Sequence, residues 1–301
     1  MKKNMIVVAI ICITFAGILF ILQKKQTSSL SKTNKIKVTA TFYPLAEFAR
    51  NVGGDLVEVT TIVPPGAEPH DYEPTPQDIA TIASSKVFIM NGNGVDAWGE
   101  KLQTDLQKKG VVIIKMSDSL NPLTHSSDPH FWLDPVLAKA MTHSIQEALG
   151  KTDPARVPVY EKNALSYETK LEELDTLYRQ NLSSCKNNEI IVSHNAFSYL
   201  GKRYNFSTIP ISGISPEEEP SPKKLAEIAE LATQKNIHYI FFETLVNPKL
   251  AETIAKEVGA QTLVLNPLEG LGQKEVQSGK NYITVMEDNL TNLKLALVCQ
   301  P

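Results

Sequence analysis

Two segments of the chain, one in each half, share an unusual residue pattern. Residues 73-EPTPQDIATIA-83 and 219-EPSPKKLAEIA-229 both read Glu-Pro-(Thr/Ser)-Pro, followed at equal spacing by Ile or Leu, Ala, Ile and Ala. Thr75 and Ser221 are residue types that cap helix N-termini, and a proline at the first helical position costs no hydrogen bond. Each segment leads into an apolar stretch of strand length. The repeat therefore predicts two related lobes built on one plan.

Short apolar stretches alternate with longer amphipathic ones in both halves. In the first half they are 37-KVTAT-41, 56-LVEVTTIVP-64, 86-KVFIMNG-92 and 110-GVVIIKM-116. In the second half they are 189-EIIVSHN-195, 206-FSTIPIS-212, 237-IHYIFFE-243 and 261-QTLVLNP-267. Strands that alternate with helical patterns indicate parallel sheets. We predict an α/β fold of two lobes, each a parallel sheet flanked by helices.

A segment without glycine or proline separates the two halves. Over residues 159–182 neither residue type occurs, and leucines and a tyrosine recur on one helical face. One helix of about 24 residues would be roughly 36 Å long and would act as a stiff strut that limits hinge closure. We therefore predict an N-terminal lobe over 36–152, a linker helix over 153–184 and a C-terminal lobe over 185–301.

The first 25 residues differ in kind from the rest. Lysines flank an uncharged, apolar run over residues 5–22, which is long enough to span a bilayer. No small-x-small cleavage motif follows the run. We predict an uncleaved signal anchor at 1–25 and a flexible tether at 26–35, with a cleaved signal peptide as the alternative. Orientation by charge is ambiguous, but export of the C-terminal part is the natural outcome.

The three cysteines divide into two groups. Cys12 lies inside the apolar run, with neighbours that do not suit lipid attachment, so we interpret it as a small buried apolar residue. Cys185 and Cys299 lie in the exported part, where two cysteines often pair. A disulfide between them would tie the start of the second lobe to the end of the chain. Two free buried thiols are the alternative.

The charge balance argues against one class of partner. The formal net charge is −3, and charged residues make up 21% of the chain. Nucleic-acid binding requires a basic excess. We therefore expect no nucleic-acid partner.

Three of the six histidines have ordinary contexts. His143 lies off the apolar stripe of a predicted helix, which indicates a surface position. His238 falls within a predicted strand, which indicates a core or edge residue. His125 sits in a serine-rich loop and has no evident role.

The other three histidines, His70, His130 and His194, each lie where a strand or rigid loop gives way to a helix. In parallel sheets, ligands bind beyond the carboxyl ends of the strands. Three imidazoles that converge there suit a metal ion, above all zinc. The fourth ligand should be a carboxylate or water. Glu269 follows the last predicted strand and is the favoured candidate, with Glu243 as its competitor.

Five segments carry a resemblance to a known family. They are PHDYEPTP, HFWLDP, VSHNAF, EEEPSP and LNPLEGL. They resemble the zinc and manganese solute-binding proteins of ABC importers, over essentially residues 36–299. The resemblance implies a metal site in the cleft between the lobes, formed by His70, His130, His194 and Glu269. It also implies a monomer that captures Zn²⁺ outside the cytoplasmic membrane and hands it to an ABC permease.

The ligand set distinguishes the two metals of that family. Manganese-type members are similar but have a carboxylate in place of His194 and an aspartate near the last position. Three imidazoles and one carboxylate form a softer set, which favours Zn²⁺ over Mn²⁺. Zinc members often carry a long loop rich in histidine before the second ligand. Here residues 117–130 offer only His125 besides the ligand, so no metal-gathering role is expected for that loop.

Two other classes of function compete with metal transport. A zinc hydrolase would use the three histidines as ligands and Glu269 as a base. However, the sequence has no HExxH helix motif, nucleophile elbow or phosphate loop, so we expect no enzyme. A surface adhesin is a third class, and no residue pattern supports it.

Overall fold

The computed structural model describes residues 35–121, 123–124 and 127–300. The predicted signal anchor at 1–25, nearly all of the predicted tether, Cys12 and His125 lie outside the described residues. Among the described residues, no helix is both long enough and apolar enough to cross a membrane.

The first lobe is built on a parallel sheet of four strands, ordered β2-β1-β3-β4. These strands are β1 (Ile36–Ala40), β2 (Val57–Thr61), β3 (Val87–Met90) and β4 (Val112–Lys115). The helices of this lobe are α1 (Tyr43–Gly53), α2 (Pro76–Ala83), α3 (Ala97–Lys108), α4 (Met116–Ser119) and α5 (Pro135–Thr152). Every residue of β3 is buried, as expected for a central strand that is covered on both faces.

The predicted long helix, α6 (Val157–Leu182), follows a short 3-10 turn at Pro154–Arg156. Its buried side chains recur every three or four residues, so that one stripe faces the core; they are Tyr160, Ala164, Tyr167, Leu171, Leu174, Tyr178 and Leu182. The helix packs against α1 and α5 of the first lobe.

The second lobe repeats the topology of the first, with strand order β6-β5-β7-β8 and parallel pairing throughout. The strands are β5 (Glu189–Val192), β6 (Ser207–Pro210), β7 (Tyr239–Phe242) and β8 (Gln261–Val264). The helices are α7 (Ser198–Tyr204), α8 (Pro222–Gln234), α9 (Lys249–Val258), α10 (Gln273–Gln277) and α11 (Tyr282–Ala296). The prediction of two related parallel lobes is confirmed.

The repeated helix starts are capped as predicted. The Thr75 side chain accepts a hydrogen bond from the backbone N–H of Asp78, and the Asp78 carboxylate accepts one from the backbone N–H of Thr75 at 2.8 Å. In the second lobe, Ser221 accepts from the backbone N–H of Lys224 at 3.2 Å. These caps satisfy N–H groups that a helix leaves without internal partners. The caps therefore fix the start of α2 directly after Thr75 and the start of α8 directly after Ser221.

A continuous hydrophobic core joins the lobes. One cluster of buried side chains includes residues of both sheets, of α6 and of α11. The Tyr178 hydroxyl in α6 donates to the carbonyl of Met286 in α11 at 2.7 Å, and the Asn163 amide donates to the carbonyl of Val52 in α1 at 3.0 Å. The two lobes thus share one core with α6 and α11.

A disulfide joins Cys185 and Cys299, which are 114 residues apart in the chain. Backbone hydrogen bonds flank it: the N–H of Gln300 donates to the carbonyl of Ser184, and the N–H of Lys186 donates to that of Val298. The segment after α11 is thus held against the segment after α6. Both cysteines are half-buried against the shared core.

Candidate metal centre

Four side chains converge from four separate segments: His70, His130, His194 and Glu269. Each offers one ligand atom, and these atoms all lie within 4.8 Å of one another. His70 lies in the loop between β2 and α2, and His194 lies just beyond the end of β5. Glu269 follows β8, and His130 precedes a 3-10 turn at Phe131–Leu133. The structure thus brings together the four residues that were predicted as ligands.

The spacing of the ligand atoms matches the size of a zinc ion. The Nε2 atom of His130 lies 3.2 Å from the Nε2 atoms of both His70 and His194. The Oε1 atom of Glu269 lies 3.2, 3.2 and 3.1 Å from the Nε2 atoms of His70, His130 and His194, respectively. Four ligands about 2.0–2.1 Å from a tetrahedral centre are separated by about 3.3 Å. Five of the six distances among the four atoms therefore match those around a tetrahedral zinc ion, and the remaining pair, His70 and His194, lies within 4.8 Å.

The ligands differ in their exposure. His130, His194 and Glu269 have at most 1% of their surface exposed, whereas the His70 side chain is 7% exposed. His70 is thus the most exposed of the four side chains. Because the site is nearly dry, electrostatic interactions within it are much stronger than in water.

Two carboxylates orient the two buried histidines through contacts to their Nδ1 atoms. Asp128 Oδ1 lies 2.7 Å from Nδ1 of His130 and also accepts the backbone N–H of His130 at 2.9 Å. The two carboxylate oxygens of Glu243 lie 2.8 and 2.9 Å from Nδ1 of His194. A carboxylate at Nδ1 requires the proton there and leaves the Nε2 lone pair for a metal. Both rings are therefore prepared as ligands.

Glu243, the predicted competitor for the fourth position, is not among the four grouped ligand atoms. Its carboxylate faces the opposite edge of the His194 ring. The geometry therefore assigns Glu243 to positioning His194.

A strained turn presents Glu269. Leu268, next to it, is fully buried and has a φ of 57°, a left-handed conformation that costs a non-glycine residue roughly 1–2 kcal/mol. The Asn266 side chain stabilises the turn by accepting the backbone N–H of Leu268 at 2.7 Å. Asn266 is itself held by Asn289 and Glu275. This network fixes the direction of the Glu269 side chain.

A contact from the first lobe supports the same turn. The indole N–H of Trp132, two residues after His130, donates to the carbonyl of Pro267 at 2.8 Å. The hydroxyl of Tyr282 in turn donates to the carbonyl of Trp132 at 2.5 Å. The side chains of Trp132 and Tyr282 are both fully buried. The segments that carry His130 and Glu269 are thus bonded directly to each other.

The site carries opposed charges. Burial alone would lower the pKa of His194, but the carboxylates of Glu269 and Glu243 outweigh it and hold that pKa well above its usual value. Burial alone would raise the pKa of Glu269, but His194 and the hydrogen bonds from the three imidazoles hold it well below its usual value. Both pKa shifts therefore favour a positive charge on His194 and a negative charge on Glu269 in the absence of a metal.

Another acidic residue, Glu68, lies two residues before His70. Burial, followed by the nearby charge of Glu269, raises the pKa of Glu68 to about 9. Its Oε1 atom accepts the backbone N–H of His70 at 3.2 Å. Sequence reasoning missed both Glu68 and Asp128. The available signal was the repeated acid-Pro-His pattern of 68-EPH-70 and 128-DPH-130.

The remaining described histidines lie apart from the site. The His143 side chain is 62% exposed, near Glu147 and Glu168. His238 is exposed and accepts a hydrogen bond from Asn236. It lies just before β7, which begins at Tyr239. The prediction of a core position for His238 is therefore wrong, whereas its backbone carbonyl accepts the N–H of Gln261, the first residue of β8.

Comparisons with known proteins give a consistent result. Residues 38–296 match the family described as "Zinc-uptake complex component A periplasmic". The chain is 37% identical over 288 residues to the high-affinity zinc uptake system protein ZnuA of Bacillus subtilis (strain 168), which covers 90% of each chain. It is 36% identical over 311 residues to the zinc-binding lipoprotein AdcA of Streptococcus pneumoniae, covering 98% of this chain but 61% of that relative.

Solved structures agree with these matches. The Zn(II)-bound ZnuA-like domain of Streptococcus pneumoniae AdcA superimposes with a TM-score of 0.79 and 39% sequence identity, covering 88% of this chain and 99% of that domain. The family match over residues 38–296 includes both lobes and the four segments that supply the grouped side chains. The chain therefore belongs to the family of the periplasmic component A of zinc-uptake complexes.

Proposed function

We propose that this protein captures Zn²⁺ outside the cytoplasmic membrane and delivers it to an ABC permease, with His70, His130, His194 and Glu269 as the ligands. The observation that carries the proposal is the ligand-atom spacing of 3.1–3.2 Å between Glu269 Oε1 and the three Nε2 atoms. Zinc favours this tetrahedral set of nitrogen and oxygen ligands. Mn²⁺ favours sites richer in oxygen, so we propose zinc over manganese as the cargo.

A solute-binding role also accounts for the number of ligands. A catalytic zinc site keeps a position open for water beside three protein ligands. Here the Glu269 oxygen contacts all three histidines and closes the set. The family is one of solute-binding proteins and not of enzymes. Glu269 accordingly acts as a ligand and not as the base of a hydrolase.

Capture is proposed to occur without large closure of the lobes. The proposed divisions are an N-terminal lobe over 36–152, a linker over 153–184 and a C-terminal lobe over 185–301. Because the lobes share one core, release would follow from displacement of one ligand or from its protonation.

Small-angle scattering should give the same radius of gyration with and without zinc. A large contraction on zinc addition would contradict a rigid frame.

The location outside the membrane rests on the N-terminal sequence. We propose that residues 1–25 remain as a signal anchor, with residues 26–35 as the tether, and that the protein acts as a monomer. The full chain should then sediment with membranes and keep its N-terminal mass, whereas a chain that begins at Lys35 should not sediment. A mature form lacking the first 25 residues would favour the cleaved signal peptide instead.

Elemental analysis tests the proposed cargo. Protein purified without added metal should contain about one zinc ion per chain, and excess Mn²⁺ should fail to displace it, because divalent affinities for such ligands rise from manganese to zinc. Manganese in place of zinc would overturn the ligand argument.

Cells that lack the gene should take up radioactive zinc when supplied with the wild-type protein but not with His130→Ala. Equal uptake with both would refute the delivery role.

Zinc binding is expected to release about one proton at neutral pH. The raised pKa of His194 keeps its imidazole protonated in the metal-free site, and zinc binds only the neutral form. Affinity should therefore fall about tenfold per unit as the pH drops below that raised pKa, and should level off above it. Calorimetry in buffers of different ionisation enthalpy measures the released protons.

The surface residue His143 provides the control for this measurement. The His143→Ala variant should release the same number of protons as the wild type, because the His143 side chain is 62% exposed and far from the ligand group. Zinc affinity that is independent of pH between about pH 5 and 8 would be incompatible with a protonated His194 in the metal-free site.

A further inference from the structure

Asn91 is a fully buried polar residue directly after the central strand β3. Its side-chain amide donates to the carbonyl of Pro129 at 3.0 Å and to that of Gly92 at 3.2 Å. The Oδ1 atom of the same amide is buried and has no hydrogen-bond donor among the described residues. A buried acceptor without a partner costs free energy. An apolar side chain of similar shape would therefore suit this position better if the amide had no task there.

The Pro129 carbonyl belongs to the segment that carries the ligand His130. Residues 128–130 lie in no helix or strand, so no regular ladder of backbone hydrogen bonds fixes them. Pro129 also lacks an N–H with which to form such a bond. The peptide group between Pro129 and His130 sets the direction in which the histidine side chain leaves the backbone. Because Asn91 holds the oxygen of that peptide group, a change at Asn91 should be transmitted to the imidazole.

The backbone of Asn91 is itself held on both sides. The buried carboxylate of Asp96 accepts the backbone N–H of Asn91 at 2.6 Å, the hydroxyl of Thr41 at 2.7 Å and the backbone N–H of Gly92 at 2.8 Å. The backbone carbonyl of Asn91 accepts the N–H of Ser117 at 2.9 Å. Asn91 is therefore fixed to the first lobe before its side chain reaches the ligand segment.

The internal repeat gives an independent reason to connect Asn91 with a ligand. The two sheets have the same strand order, so β3 of the first lobe corresponds to β7 of the second. Asn91 is the first residue after β3, and Glu243 is the first residue after β7. Both are buried. Glu243 contacts Nδ1 of His194, and Asn91 bonds to the peptide group before His130. Equivalent positions of the two lobes thus support one histidine each.

We propose that Asn91 is a positioning residue for zinc binding, because its amide fixes the peptide group from which the His130 side chain extends. This proposal rests on the proposed function as a zinc-binding protein. Asp128 orients the His130 ring at its Nδ1 edge, whereas Asn91 acts on the backbone. Loss of the Asn91 amide should therefore lower the zinc affinity through His130 and not through the other ligands.

The test uses Asn91→Leu in the full-length protein, because leucine has a similar shape and lacks the amide. Zinc affinity, measured by competition with a chromophoric chelator, should fall about tenfold, the lower end of the losses seen when a group that supports a ligand is removed. A double-mutant cycle shows whether His130 transmits the effect. Asn91→Leu should again cost about tenfold in a His70→Ala background, but less than about twofold in a His130→Ala background.

Asn163→Leu is the matched control. The Asn163 amide also donates to a backbone carbonyl, that of Val52, at 3.0 Å, but neither residue belongs to a ligand segment. This variant loses a hydrogen bond of the same kind and should keep the wild-type zinc affinity. An equal loss in Asn163→Leu and Asn91→Leu would overturn the proposal, because it would assign the effect to general destabilisation.

Two further results would also overturn the proposal. One is an unchanged zinc affinity in Asn91→Leu, and the other is an equal loss in the His70→Ala and His130→Ala backgrounds. If Asn91→Leu does not fold, Asn91→Ala takes its place in every comparison, since it removes the same amide without adding bulk. Failure of the wild type itself to bind Zn²⁺ would instead refute the proposed function.

Discussion

Replacement of His194 by alanine is expected to weaken zinc binding by roughly two to three orders of magnitude. A four-ligand zinc site supplies about 10–16 kcal/mol of apparent binding free energy, so that one ligand accounts for about a quarter of it. The loss should be close to this share because His194 is fully buried, and water would be a poor substitute in a dry site. The substitution also leaves Glu243 buried without its imidazole partner. Competition with a chromophoric zinc chelator measures the dissociation constant.

Two further variants make this result specific. His143→Ala removes an exposed histidine and should leave the dissociation constant unchanged. Glu269→Ala should cause a loss of the same order as His194→Ala, whereas Glu243→Gln should cause the smaller loss of about 10- to 100-fold that is typical of a group behind a ligand. A larger loss in Glu243→Gln than in Glu269→Ala would make Glu243 the fourth ligand. Unchanged zinc affinity in His194→Ala would remove His194 from the site.

Loss of the disulfide between Cys185 and Cys299 is expected to destabilise the metal-free protein by about 4 kcal/mol. The bond spans 114 residues of sequence, and a cross-link over about 100 residues restricts the unfolded chain by about 4.7 kcal/mol, with 2–5 kcal/mol typical of measured losses. For a chain of this size the melting temperature should fall by roughly 6 °C. Thermal unfolding of Cys185→Ser, Cys299→Ser and the double variant measures the effect.

The three variants should have nearly the same melting temperature, because each breaks the same bond. Cys12→Ser changes the third cysteine of the chain and should leave the wild-type melting temperature unchanged. All measurements require metal-free protein, since zinc would stabilise every variant through binding to the folded state. Two free thiols detected by alkylation of the unreduced wild type would show that the bond does not form.

The fold followed from the sequence to a large extent, because its main determinants are local. Thr75 and Ser221 cap helices through their immediate neighbours, and the absence of glycine and proline over residues 159–182 permits an uninterrupted helix. The alternation of short apolar stretches with helices was enough to predict parallel sheets. The limits of local signals appear at His238, which precedes its strand by one residue and is exposed.

The residues around the ligands could not be assigned in the same way. Glu243 and Glu269 both follow second-lobe strands, and sequence position alone left both open as the fourth ligand. Their different places depend on backbone direction, since the left-handed turn at Leu268 directs Glu269 toward the histidines. Glu243 instead meets the far edge of the His194 ring. No pattern within either segment specifies that difference.

The sequence by itself determined the two-lobe α/β plan, the long connecting helix and the positions of the histidines at the ends of strands and loops. These features depend on periodicity, capping and chain direction, which act over a few residues. Only the tertiary structure decided that Asp128 and Glu243 orient the histidines. The contact between Glu243 and His194 joins residues 49 positions apart. The energies of both contacts depend on burial and on distances of about 3 Å that arise only when the core is packed.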